Sequence, residues 1–192
     1  MKQNESAVSP VIGVMLMIVV TIIIAAIVAA FAGDLSGGQA TAPVASIQCS
    51  IVKSDASDAT LTMTHLSGDP INTANTRIIV SYKDANGNPM QSRTSGSSVS
   101  ITNDNGNSVS VTVPYLNDPK VGSIDATSTL TNISYGNYVW NTGQVITTGN
   151  AAGFAAILGE QPSAVSVGDT FNIKLVDIPS EKTIYQKDVS VQ

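Results

Sequence analysis

The chain contains one histidine, His65, and one cysteine, Cys49, so nucleophilic or metal chemistry has few starting points. A catalytic triad would have to run through His65, with Ser67 and Asp69 as nearby partners. Those two sit in Ser67-Gly68-Asp69-Pro70, a turn composition, and no Gly-x-Ser-x-Gly elbow surrounds the serine. The ordinary reading is a histidine at a strand end. Cys49 alternates with Ile47 and Ile51, the spacing of a buried small hydrophobe, and no cation flanks it to favour a thiolate. A lone cysteine permits neither an intrachain disulfide nor a thiolate metal cluster. Asp84-x-Asn86-x-Asn88 has the opening spacing of a calcium loop. It lacks the glycine after the third ligand and the closing glutamate, so it predicts a plain turn. Asn132-Ile133-Ser134 is an N-glycosylation sequon, which makes Asn132 a candidate modification site. No catalytic, cofactor-binding or metal-ligating set emerges, and the sequence does not read as an enzyme.

The elements that would carry these residues follow a period of two. Ala45 to Val52 alternates, with Ile47, Cys49 and Ile51 on one face. Thr60 to His65 alternates with Leu61 and Met63 inward, and Arg77 to Tyr82 is a stronger strand. Val99 to Thr102 and Ser108 to Val113 flank Asn103-Asp104-Asn105-Gly106-Asn107, a predicted hairpin with Asn-Gly at its tip. Thr129 to Ile133 and Val139 to Trp140 are weaker strands. Ala151 to Leu158 fits either one short helical turn or a buried strand. Phe171 to Val176 and Thr183 to Val191, joined through Pro179-Ser180-Glu181, form a last hairpin. Seven or eight short strands with turn-rich spacers predict an antiparallel β-sandwich, Ig-like, over residues 45–192.

Composition bounds the partners. Of 192 residues 43% are hydrophobic, and the net charge is −5. Beyond residue 44 the acidic residues outnumber Lys and Arg and no basic cluster occurs, which excludes a nucleic-acid surface. The Ser-, Thr- and Asn-rich strand faces suit exposed sheet and also adhesion by hydrogen bonding.

Much of the apolar content lies in one stretch, Val8 to Gly33. No charged residue occurs between Glu5 and Asp34. A helix from Pro10 to Ala32 would run ~35 Å, enough to cross the hydrocarbon core of a bilayer. Ser9 is placed to cap it, Pro10 suits its first turn, and Gly33-Asp34 should stop it. The β-branched run from Val19 to Ile24 forms a helix poorly in water, but in lipid or among identical helices the backbone has no other partner. Small residues Gly13, Ala25, Ala26, Ala29 and Ala30 would permit close helix approach. Residues 34–44 read as a linker punctuated by Gly37-Gly38 and Ala42-Pro43. The fold class is therefore α+β: one long N-terminal hydrophobic helix followed by the β-sandwich head. Ordinary signal cleavage near Ala29 to Gly33 would remove the helix; the other course removes only the polar leader.

The string Ala7-Val8-Ser9-Pro10-Val11-Ile12-Gly13-Val14, followed by Met15-Leu16-Met17-Ile18, resembles the N-terminal signature of archaeal type IV pilins. The resemblance covers residues 7 to about 33. It implies a class III signal, with residues 1–6 cut off by a prepilin peptidase between Ser6 and Ala7, or one residue later between Ala7 and Val8. Residues 7–33 would stay in the mature subunit, in membrane lipid before assembly and in a homo-oligomeric helical filament afterwards. The N-terminus would be cytoplasmic, the head outside, and the other partners the pilus assembly machinery. The sequon at Asn4 lies in the leader and would remain cytoplasmic. No Lys/Arg pair precedes the cut, and the glutamate of bacterial pilins has no counterpart in this helix. The alternative reading is a single-pass, membrane-anchored extracellular binding module that does not polymerise.

Overall fold

The computed structural model describes residues 8–36, 40–103 and 105–192. The chain divides into two compact units, residues 1–40 and 41–192.

The first unit contains α1 (Val8–Ser36). It begins one residue before Ser9, so Ser9 lies within the helix rather than capping it. It also runs past Gly33-Asp34, where a stop was expected. One helical glycine costs only about 1 kcal/mol, which the backbone bonds of a long flanking helix outweigh.

The second unit starts with β1 (Ala45–Lys53) and β2 (Ala59–Gly68), an antiparallel pair. Then come β3 (Ile71–Asn72), β4 (Thr76–Lys83) and β5 (Pro89–Thr94). The hairpin of β6 (Ser97–Thr102) and β7 (Ser108–Val113) follows, and then β8 (Tyr115–Leu116). A short helix α2 (Leu130–Ile133) precedes β9 (Val139–Trp140) and β10 (Val145–Thr147). The unit ends with α3 (Ala151–Leu158) and the hairpin of β11 (Thr170–Asp177) and β12 (Thr183–Ser190).

Two four-stranded sheets carry the head, in the orders β1-β2-β10-β8 and β12-β11-β4-β5, with β3-β9 and β6-β7 as two-stranded additions. Every strand pair in these sheets is antiparallel. Inward residues of both large sheets join one apolar cluster: Ile51, Leu61, Met63 and Ile146 from the first, Ile78, Val80, Phe171 and Ile173 from the second. That is the two-layer logic of a sandwich. A parallel bridge, Ile51 to Val191, links the sheets at the β1 and β12 edges. The head is thus the β-sandwich-like domain expected behind the apolar helix.

Thr129 to Ile133, expected as strand, is helical instead: a 3-10 turn (Thr127–Thr129) leads into α2. Local bonds win there. The Thr129 hydroxyl donates to Ala126 O at 2.9 Å and the Ser134 N–H to Leu130 O at 3.1 Å, and only Ile133 of α2 is buried. The open choice at 151–158 resolves to helix, because Asn150 Oδ1 accepts from the Gly153 N–H at 2.9 Å and left-handed Gly159 ends it. Gly153 is required by close approach: a Cβ there would stand 2.0 Å from Thr148 O. Phe154, Ile157 and Leu158 then fill the core.

Candidate functional site

The helix α1 is where sequence and structure concentrate an unusual property. Between Val11 and Phe31 every large apolar side chain is 45–72% exposed, and these side chains occur on all sides of the helix. A soluble protein would bury one stripe and leave the other polar. The stretch Val11–Gly33, 23 residues, is long and apolar enough to cross a membrane. Its lone hydroxyl side chain, Thr21, donates back to Ile18 O at 2.8 Å, so no polar atom there needs water.

Helical geometry arranges the small residues. Ala25 and Ala29, and Ala26 and Ala30, are i,i+4 pairs, and the four share an arc of about 140° at 100° per residue. Gly13 falls outside that arc. A Cβ at Gly13 would meet nothing within 4 Å, so packing within the chain does not demand a glycine there. Val11 and Ile12 are exposed in the first turns. Val8, Ser9 and Pro10 are helical. Ser6 and Ala7, the expected cleavage pair, lie outside the described residues.

In the head the candidate chemistry disperses. Period two would put His65 and Ser67 on one face, but the register of β1 against β2 shifts between Ser46 and Ile47, leaving Leu66 as an extra residue. His65 is fully buried, its ring 5.5 Å from that of Trp140, while Ser67 is exposed. Asp69 accepts from the Val44 N–H at 3.0 Å instead of meeting the histidine. No triad forms. Cys49 is partly buried against the core, and burial pushes its thiol up to about 12 despite the opposing charge of Lys187. A thiol so disposed is a poor nucleophile at neutral pH. Asp84 closes its own turn: its carboxylate accepts from the Asn88 side chain at 3.0 Å and from the Asn88 and Asn86 N–H groups at 2.8 and 2.9 Å. Those bonds, the Asn88 side chain first, hold it below the usual carboxylate range. Asn132 is exposed on α2. Among the described residues no group of three or more His, Cys, Asp or Glu could hold a metal ion.

Sequence reasoning missed a buried polar network. The hydroxyls of Thr76 and Tyr135 meet at 2.6 Å, Thr73 Oγ1 donates to Tyr138 O at 2.6 Å, and Tyr138 Oη donates to Pro114 O at 2.8 Å. Partners 24 to 65 residues apart leave no spacing signal.

The family model of the archaeal type IV pilin N-terminal domain matches residues 6–47. Over these residues the chain is similar to the archaeal type IV pilins. The match begins at Ser6 and ends at Ile47 in β1, so it contains all of α1. An uncharacterized protein of Archaeoglobus fulgidus is 38% identical over 84 residues, 43% of this chain and 57% of that protein. The chain therefore spans a little over half the length of that relative.

Proposed function

We propose that this chain is the structural subunit of an archaeal type IV pilus-like surface filament, held in the membrane before assembly and polymerised through α1. The observation that carries the reading is the helix itself. Residues 11–33 are apolar on every side, free of charge and exposed, within a segment matching the pilin N-terminal family. Such a surface needs lipid before assembly and copies of itself afterwards. Cleavage between Ser6 and Ala7 would release the leader and leave the helix in the subunit. The head would face outward. Its hydroxyl-rich surfaces, such as the outer face of β6-β7, suit surface attachment by hydrogen bonding.

The test separates anchoring from polymerisation. Ala26→Asp puts a charge in the middle of the helix, at about 2.5–3.5 kcal/mol on insertion scales. In a bundle every subunit brings the same charge into a dry core. The precursor should still reach the membrane, while sheared surface filaments disappear. The control Ser110→Asp, on an exposed position of β7, should leave filaments intact. Normal filaments from Ala26→Asp would overturn the reading and favour the anchored binding module.

A further inference from the structure

The sequon at 132–134 is folded into a shape that separates its two recognition groups. Asn132 lies on the outside of α2, whereas Ser134 is 7% exposed and Ile133 fully buried. Residues i and i+2 of a helical turn point about 200° apart, while in an extended segment they point to the same side. The Ser134 hydroxyl is also engaged. It donates to Leu130 O at 2.7 Å and accepts from the Thr112 N–H at 3.3 Å. The next residue is pinned as well: the Tyr135 N–H donates to Thr112 O at 2.9 Å, and its ring is buried. A transferase that must engage the asparagine amide and the serine hydroxyl together would have to pull this segment off β7.

We propose that Asn132 is glycosylated on the unfolded chain, and that folding of the head then closes the sequon to the transferase. The inference rests on the reading above in one respect, that the head is delivered across the membrane. The donor is an oligosaccharide on a polyprenyl phosphate carrier. A bond forms between Asn132 Nδ2 and C1 of the first sugar, and the bond from C1 to the carrier phosphate oxygen breaks. The electron pair leaves with the phosphate, and the amide gives up one proton to a base of the transferase. The folded state accommodates the product, because Asn132 is exposed.

The experiment presents a purified archaeal oligosaccharyltransferase and a polyprenyl-linked glycan with two acceptors. One is the folded full chain in detergent; the other is a peptide of residues 126–140. Mass spectrometry reads the glycan on Asn132. The peptide should be modified, and the folded chain at least ~100-fold more slowly, since opening a core-anchored segment draws on free energies near the global value. Ser134→Ala in the peptide should abolish transfer, and Tyr135→Ala in the full chain should raise its rate toward that of the peptide. Equal rates for folded chain and peptide would overturn the proposal, and so would a peptide that is not modified. Neither readout depends on filaments, so failure of the polymerisation test leaves this one standing.

Discussion

His65 carries two ring nitrogens that are buried without a hydrogen-bond partner among the described residues. Replacing such a group by an apolar one of similar size is close to neutral or stabilising, because a desolvation cost disappears. His65→Leu should therefore hold or raise the midpoint of urea unfolding, despite losing the ring contact with Trp140. Trp140→Ala, which empties a fully buried site, should cost about 3–5 kcal/mol in the same measurement. A large loss from His65→Leu would mean that the imidazole has a structural partner. Cys49 makes a second case. With its thiol at about 12, alkylation by iodoacetamide at pH 8 should be slow in the folded chain and fast in urea. Equal rates would contradict the burial. Cys49 was legible as a core member from alternation alone, whereas the full burial of His65 was not, because a position at a strand end beside a turn can face either way. The bulge at Leu66 was not legible either, since one extra residue leaves no mark on composition.

Elements were legible where apolar residues alternate on one buried face, as in β1, β2, β4 and β11. They were illegible where backbone pairing does the work. β5 begins with Pro89 and is exposed along much of its length, an edge strand without alternation, held by pairing to β4 from Lys83↔Pro89 to Ile78↔Thr94. α3 could have been read from its caps, Asn150 and Gly159, rather than from its apolar run. Another element-scale bond joins distant segments: Lys53 Nζ donates to Pro162 O at 2.9 Å and also to Val165 O, fastening the 3-10 turn at Pro162–Ala164 to β1. Lys53→Met should cost about 1.5–3 kcal/mol, the range for a charged hydrogen bond, in chemical denaturation. The turns also set an acid limit. Asp84 is held low first by the Asn88 side chain, Asp118 by the Gln144 amide and Asp55 by the Ser57 N–H. Each folded value lies below the ordinary 3.8, so the contribution is present above that pH and is lost as pH falls through the folded value. Head stability should be flat from pH 5 upward in this respect and decline below 3.8. Carboxyl NMR titration with all three groups at ordinary values would count against it.

At the scale of the molecule, the question is where the head begins. The apolar pattern of β1 starts at Ala45, which made 34–44 read as linker, yet Thr41–Val44 belong to the second compact unit. The reason is backbone bonding that side-chain patterning cannot report. The Val44 N–H donates to Asp69 Oδ2 at 3.0 Å, and the Asp69 N–H donates to Val44 O at 2.9 Å. Gly68 makes the approach possible: its φ is +114°, and a Cβ there would stand 2.3 Å from Val44 O. A head starting at Thr41 should be soluble, β-rich by circular dichroism and monomeric, because its apolar residues are used internally while the helix that would drive association is absent. A head starting at Ala45 loses both bonds to Val44. At about 1 kcal/mol each the loss is ~2 kcal/mol, or roughly 4–8 °C in Tm for a domain of this size. Gly68→Ala in the longer head should lose about as much, since the methyl pushes Val44 away. In the shorter head, which lacks Val44, the contact with Val44 O is gone, while the Ala45 Cα at 2.7 Å from that Cβ and the strain of a positive φ remain, so the substitution should cost less there. Equal Tm for the two heads would place the true boundary at Ala45. Equal cost of Gly68→Ala in both would show that the glycine serves its backbone angle and the approach of Ala45, and not the seating of Val44.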